Sequence, residues 1–493
     1  MSKIAKVRIM RSEIKNIKNV NYGEIDYINK GSINSKGTIT KPDIVGLYGQ
    51  NGSGKTALVE SMDMLRGILM GGALPYDVYA GILPADGTAS ITTDFFIEYE
   101  YASYKASYTA CFRVNKTIKR IEIYKEKLVY WQRGSSWKRE RDIEFENSMY
   151  DSDNLLEEQM LTVKSEHESD LKAIPFLWSM QNLALISAQN YSSTFFNTHV
   201  YSSLQKNAVD SEGVAFRDVI IGIMNFAYVD LNVIKVNQLG TINSNQVIPI
   251  HTHRETEFST SQDLICLNIM QETNLFIDYI DIVRNVIDAI NIVLKSVIPN
   301  LQIEIEEKKE IEHPDGKRYV TVEAYSNRGG KRFLLRYESE GIKRIVSILN
   351  YLIAVYNDPG VCLVVDELDS GIFEYLLGEL LGVLHKEMKG QLIFTSHNLR
   401  ILEKLDAKNI YCSTTNPDNR FIRLVGIEKN HNKRDFYIRS ITIGGQKEEL
   451  YDEKDLIAMD YAFRKAGKSE ADTVKLRFSD EIEKNLKEKV EGM

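Results

Sequence analysis

Only four of the 493 residues are cysteine: Cys111, Cys266, Cys362 and Cys412. They lie far apart and make no CxxC pair, so neither a paired-thiolate zinc site nor a disulfide framework organises the chain. A reducing compartment fits. Long apolar runs are missing as well. The longest, Ile345 to Tyr356, is interrupted by Ser347 and Asn350. A membrane-spanning helix needs about 18 or more apolar residues. The first twenty residues carry charges throughout and lack the apolar centre of a signal peptide, so a cytoplasmic protein with no membrane partner is expected. An excess of positive charge is also absent. There are 61 Lys and Arg against 69 Asp and Glu, a formal charge of -8. A chain that coats nucleic acid over its whole surface would be basic. No internal repeat occurs, and no heptad pattern persists over three or four repeats, which argues against a long coiled coil.

What remains is a globular composition, 43% hydrophobic and 26% charged. The length allows two or three domains around a large core. "KVRIMRSEIKNIKNVNYGEIDY" has the mixed alternation of strands broken by Asn and Gly turns. "DIVGLYGQNGSGKTALVESMDMLRGIL" predicts a buried strand from Ile44 to Tyr48, a Gly-rich loop, and a helix from about Lys55. Residues 88–131 are rich in Tyr, Phe, Ile and Val and predict an antiparallel sheet. Residues 150–300 read as mostly helical, with loops at "QLGTINSNQ" and "HTHRETEFSTSQD" and a long amphipathic helix in "LFIDYIDIVRNVIDAINIVLKSVI". "RYVTVEAYSN" and "RFLLRYES" predict a hairpin turned by "RGG". "VCLVVDE" and "QLIFTSHN" suit central parallel strands buried on both faces. Four segments follow: 1–148, 149–300 (mainly helical insertion), 301–428 and a C-terminal extension, 429–493, whose charged end predicts a helix.

Three stretches carry chemistry. "GQNGSGKT", from Gly49 through Gln50, Asn51, Gly52, Ser53, Gly54 and Lys55 to Thr56, matches G-x-x-x-x-G-K-[ST], with a strand before and a helix after. Backbone N–H groups of such a loop, with the helix N-terminus, wrap phosphate oxygens. Lys55 would reach the β- and γ-phosphates, and Thr56 would ligate Mg²⁺. "VCLVVDELDSGI" places Asp366 at a strand's carboxyl end, where ligands of α/β sheets bind. Asp366 would hold Mg²⁺ through water or through Thr56, and Glu367 would orient or deprotonate an attacking water. "QLIFTSHN" ends in Ser396 and His397, and His397 would contact the γ-phosphate and the water.

In this order the motifs resemble the ABC-type ATPase superfamily: an α/β P-loop fold with a RecA-like parallel core, an antiparallel lobe and a helical insertion. Gly49 to Thr56 looks like its Walker A loop and Val361 to Glu367 like Walker B with the catalytic glutamate. Asp369 falls in its D-loop, and His397 looks like its switch histidine. Ser339-Glu340-Gly341 resembles its degenerate S-x-G signature, with Gly341 standing 25 residues before Asp366. The resemblance implies bound ATP and Mg²⁺. It also implies a homodimer closed over ATP, each signature completing the other subunit's site, with higher homo-oligomers allowed. The separation of Lys55 and Asp366, 311 positions, points to the SMC, RecF and OLD branch rather than to transporter subunits. "RYESEGIKRI", "DELDSGI", "GQLIFTSHN" and "GGQKEELYDEKD" look like ATPases of two-gene anti-phage systems, AbiL-like and PARIS-like. That implies a separate effector protein, TOPRIM or nuclease-like. The alternative is a DNA-maintenance ATPase resembling RecF or SMC proteins. Phe373 departs from relatives that carry His there, and the Q-loop glutamine stays open among Gln132, Gln181 and Gln189.

Weaker constellations have simpler readings. Lys116 to Arg141 holds nine basic and three acidic residues among Tyr124, Tyr130, Trp131 and Trp137. It suits either a DNA surface or a solvated hairpin face beside an aromatic core. Asp151, Asp153, Glu157 and Glu158 read as a helix start rather than a metal cluster. His251 and His253 lack a third ligand nearby in sequence. The 96 residues after His397 contain no D-x-D, with Asp452, Glu453 and Asp455 the nearest approach to a nuclease centre.

Overall fold

The computed structural model describes residues 5–147, 161–164, 190–207, 211–235, 246–255, 260–312, 316–427, 432–452 and 454–466. Met1–Leu450 form one compact unit and Tyr451–Met493 a second.

The first unit opens with the hairpin β1 (Lys6–Ile17) and β2 (Val20–Asp26), followed by β3 (Asp43–Tyr48), α1 (Lys55–Leu69) and the short α2 (Tyr76–Tyr79). A meander comes next: β4 (Ala89–Glu98), β5 (Ser103–Asn115), β6 (Arg120–Arg133), β7 (Trp137–Asn147) and β8 (Leu161–Lys164). These strands and the opening hairpin make an antiparallel sheet of order β2-β1-β4-β5-β6-β7-β8. The antiparallel sheet expected at 88–131 is therefore present and extends at both ends.

Residues 149–300 contain helices α3 (Thr198–Asn207), α4 (Ser211–Asn225) and α5 (Ile280–Val297). They also supply strands that a helical reading does not include: β9 (Leu231–Ile234), β10 (Val247–Glu255), β11 (Thr260–Asn268) and β12 (Thr273–Phe276). The expected loop at 251–263 is instead a hairpin, in which His251 pairs with Leu264 and His253 with Gln262. Its polar side chains hid the strand character. The expected loop at 238–246 and the acids at 151–158 fall almost wholly outside the described residues.

Next come β13 (Leu301–Glu312), β14 (Arg318–Arg328), β15 (Lys331–Leu334) and α6 (Glu340–Asn357). The β14–β15 hairpin turns on Gly329 and Gly330, with φ of 55° and 83°. Two successive positive φ values are what a tight two-residue hairpin needs, and glycine supplies them without strain. The unit closes with β16 (Cys362–Val365), α7 (Glu374–Glu387), β17 (Gln391–Ser396), α8 (Leu399–Lys404), β18 (Ile410–Ser413), β19 (Phe421–Arg423) and α9 (Lys433–Thr442). In the second unit α10 (Leu456–Ala466) has no buried residue.

The central sheet has the order β19-β18-β3-β17-β16-β9, parallel except for β19. Its apolar strands are unbroken because each face meets a different core. Val45, Leu47, Val364 and Ile393 join the core shared with α1, α4 and the antiparallel sheet. Ile44, Leu363, Val365, Leu392 and Phe394 join a second core with α5, α6 and α7. In α5 the buried residues are Ile280, Val283, Ile287, Ile290 and Leu294, one stripe at helical spacing. Each such side chain contributes about 1.5–3 kcal/mol. The two sheets are joined by Gln391, whose side chain accepts from Ile9 N–H (3.1 Å) and donates to Ile9 C=O (2.8 Å). It thereby satisfies buried backbone groups of β1. Among the described residues no helix is long and apolar enough to cross a membrane.

Candidate functional site

The loop between β3 and α1 is built around three glycines. Gly52 and Gly54 have φ of 78° and 89°, a region that L side chains rarely adopt. At Gly49 a Cβ would lie 1.8 Å from Ser413 Oγ, so nothing larger than hydrogen fits. The Ser53 hydroxyl donates to Gln50 C=O (2.6 Å), and Ser413, at the end of β18, donates to Tyr48 C=O (3.1 Å). Asn19, in the β1–β2 turn, donates to Gly52 C=O. The α1 N-terminus has no side-chain cap and no acid in its first turn. Its free N–H groups and dipole therefore favour an anion. Lys55 is nearly buried, with its Nζ bonded to the carbonyls of Gly49 (2.9 Å) and Gln50 (2.8 Å). Burial lowers its pKa to about 8, against the opposing pull of Asp366, Glu367 and Asp369.

The strand order explains how residues 311 positions apart meet. β17 lies between β3 and β16, so the carboxyl ends of all three strands open on one edge. Asp366, buried, follows β16 there. Thr395 of β17 clasps it: the hydroxyl donates to Asp366 Oδ1 (2.6 Å) and accepts from Glu367 N–H (2.8 Å). Glu367, half-buried, has a φ of 45°. A non-glycine residue held there is strained, and such residues cluster at functional sites. Asp369 accepts from His397 N–H (3.2 Å to Oδ2). Partial burial and then the Lys55 charge hold the His397 imidazole pKa below its ordinary value, with Asp369, Glu367 and Asp366 pulling it up. Lys55, Asp366, Glu367, Asp369 and His397 thus share one electrostatic neighbourhood. Thr56, on the first turn of α1, is half-buried. Among the described residues no group of three or more His, Cys, Asp or Glu could hold a metal ion. A Mg²⁺ bound together with phosphates needs only one or two protein ligands.

Ser339 caps the N-terminus of α6, its hydroxyl accepting from Ile342 N–H (3.4 Å), and it is exposed. The preceding Glu338 is buried in a two-bond fork with Arg328 (3.0 Å each), which fixes the entry into the helix. Gly341 packs against the turn after β16: a Cβ there would lie 2.1 Å from Gly371 C=O. Exposed aromatics flank this surface. Tyr337 is 72% and Phe373 68% exposed, and Phe373 stacks on Tyr375 with centroids 5.7 Å apart.

Two residues of this site were not singled out from sequence. One is Thr395. The other is Arg344, on α6, 1% exposed, whose Nη2 donates to the carbonyls of Asp366 (3.0 Å) and Glu367 (3.3 Å). A signal existed: Arg344 stands at helical spacing with the buried Ser347, Ile348, Tyr351 and Val355, a cation inside an apolar stripe.

Other expected sites fare differently. Gln132 lies in the antiparallel sheet opposite Tyr104, while Gln181 and Gln189 are outside the described residues. In Lys116 to Arg141 several of the cations meet carboxylates. Lys125 pairs with Glu144 (2.9 Å), Lys127 with Asp142 (3.2 Å) and Lys116 with Asp86 (3.5 Å), while Arg139 pairs with Asp142. Arg133 and Lys105 lie over Trp137. These pairs are what a solvated hairpin face would show. Glu453 lies outside the described residues, and Asp452 and Asp455 belong to the second unit.

No protein-family model matches the sequence, and no curated protein does. Solved structures with similar coordinates include an SMC head domain from Pyrococcus furiosus bound to the C-terminal domain of ScpA. It has 11% identity and a TM-score of 0.33, covering 85% of this chain and 96% of that one. The SMC head domain from Thermotoga maritima matches with 11% identity and a TM-score of 0.31, over 85% and 100% of the two chains. The recombination mediator RecF matches with 13% identity and a TM-score of 0.33, over 85% and 99%.

Proposed function

We propose that this chain is a Mg²⁺-dependent ATPase that works as a dimerising switch. The observation that carries the reading is the meeting of Lys55, Asp366, Glu367 and His397 at the carboxyl edge of three adjacent parallel strands. The glycine loop, with Gly52 and Gly54 at positive φ, and the uncapped α1 N-terminus suit the phosphates of ATP. The Thr56 hydroxyl and the Asp366 carboxylate are hard oxygen donors that would hold Mg²⁺. The ion would supply charge neutralisation on the transferred phosphoryl group.

The chain's own groups then do the remaining work. Lys55, mostly charged at pH 7, neutralises phosphate oxygens. The Glu367 carboxylate orients a water molecule and accepts its proton. His397, mostly neutral at that pH, hydrogen-bonds the water or the phosphate. Catalysis of this type rests on alignment and electrostatics. Ser339 and the α6 N-terminus have no phosphate of their own loop to serve, and their exposure suits the ATP of a second copy. The exposed Tyr337, Phe373 and Tyr375 beside them suit burial against that copy. A separate effector, of the kind paired with AbiL-like and PARIS-like ATPases, is the output we assign to the switch. Its support is the resemblance of the motif phrases.

The experiment is Glu367→Gln with steady-state hydrolysis, nucleotide binding and light scattering. The expected result is at least about a hundredfold loss of turnover with ATP binding retained and an ATP-dependent dimer trapped. Hydrolysis at the wild-type rate would show that Glu367 is not the base.

A further inference from the structure

Arg344 takes part in none of the steps above, yet it is among the most completely buried charged side chains of the chain. Among the described residues its hydrogen bonds go to the backbone of the turn that carries the proposed base. Nη2 bridges the carbonyls of Asp366 and Glu367, and Nε is buried without a hydrogen-bond partner. A buried guanidinium with an unsatisfied donor is costly. Apolar residues surround it along α6, and an apolar side chain at 344 would continue that stripe. The cation must therefore be accounted for by what it holds.

What it holds is a strained turn. Glu367 sits at φ 45° without being glycine. Its N–H is fixed by Thr395, and its C=O accepts from both Ser370 N–H (2.9 Å) and Arg344 (3.3 Å). With both ends of the residue pinned, the direction in which its side chain leaves the backbone is set, and Thr395 and Arg344 are the two side chains that help set it. Thr395 belongs to β17, whereas Arg344 belongs to α6, the helix that Ser339 caps. A second contact between α6 and the same turn is the close approach of Gly341 to Gly371. The helix start and the turn 366–371 are thus joined at two points within one chain.

We propose that Arg344 is a positioning residue: by bridging the Asp366 and Glu367 carbonyls it aims the Glu367 carboxylate, and it makes that aim depend on the position of helix α6. This rests on the assignment of Glu367 as the base. Arg344 itself touches no reacting atom.

The test compares Arg344→Met, Arg344→Lys, Glu367→Gln and the Arg344→Met/Glu367→Gln double variant in the full chain with Mg²⁺ and ATP. Arg344→Met is expected to lower kcat about 10- to 100-fold, the effect of losing charge-assisted hydrogen bonds, while KM and ATP affinity move by less than about threefold. Arg344→Lys keeps a donor but not the planar fork, so partial recovery is expected. It also provides the reading should the Met variant fail to fold. In the Glu367→Gln background, Arg344→Met is expected to slow the residual single-turnover rate by less than about twofold, because both act through one carboxylate. The proposal is overturned if Arg344→Met and Arg344→Lys turn over like wild type. It is equally overturned if the Met substitution costs the same factor with and without Glu367. If Glu367→Gln itself hydrolyses normally, the base assignment falls first and the proposal with it.

Discussion

The Cα of Gly341 and the carbonyl oxygen of Gly371 are in direct contact: a Cβ at 341 would stand 2.1 Å from that oxygen. The obstacle is backbone, so no side chain can swing aside. Gly371 is itself at φ 73°, a conformation that only glycine takes without strain. Gly341→Ala should therefore push the 369–371 turn away from α6. The expected cost is about 1–3 kcal/mol of stability, the usual effect of overpacking, seen as a lowered Tm. Because Asp369 holds His397 N–H, turnover should fall more than ATP affinity does. An Ala variant with unchanged Tm and turnover would mean that the two segments do not meet as described.

Lys55 gives a pH dependence with a definite sign. Its pKa in the free protein is about 8, lowered by burial. Only the protonated form attracts phosphate, so binding ATP raises that pKa and takes up a proton. Affinity is then full below about pH 8 and is lost as pH rises through it. The expected change is roughly tenfold weaker ATP binding at pH 9 than at pH 7, measured by calorimetry in two buffers of different ionisation enthalpy. Lys55→Arg keeps its charge over this range and should give a flat profile. A flat profile in the wild type would sink the assignment.

Much of this was legible in the sequence because it is local. The P-loop run is contiguous, and the strands that end at Tyr48, Val365 and Ser396 announce themselves by unbroken apolar runs, buried on both faces. The β14–β15 hairpin was readable from its two glycines. The illegible parts depend on distant partners. β9 reads as an ordinary apolar stretch until it pairs with β16, and the polar run 251–263 hides the adjoining halves of β10 and β11. Thr395 is one hydroxyl in a buried strand, and its value appears only when Asp366 and Glu367 arrive from the neighbouring one. Basic residues 116–141 suited two readings because the acids that pair with some of them, Asp86, Asp142 and Glu144, lie outside that stretch.

Thr395 supports its own prediction. Thr395→Val is nearly isosteric but removes the donor to Asp366 and the acceptor for Glu367 N–H. Leaving that N–H unsatisfied should cost about 1–3 kcal/mol. The turn would loosen, so hydrolysis is expected to fall and the Mg²⁺ concentration for half-maximal rate to rise. Thr395→Ser restores the hydroxyl and should recover most of both. If Val and Ser behave alike, the hydroxyl is not what clasps the turn.

Ser339 can be tested so that capping and phosphate recognition separate. Asp is as good an N-cap as Ser, and its charge also suits a helix N-terminus. Ser339→Asp should therefore keep the Tm of the wild type, whereas Ser339→Ala should lose about 1 kcal/mol through the missing cap. A phosphate arriving from a second copy would meet a carboxylate in the Asp variant and be repelled. The expected outcome is a stable monomer that binds ATP at its own P-loop but neither dimerises nor turns over. Light scattering with ATP in the Glu367→Gln background reads the first loss, and phosphate release in the otherwise wild-type chain reads the second. Ser339→Arg should give the same two losses by filling the space. If Ser339→Asp dimerises and hydrolyses normally, the residue does no more than cap α6.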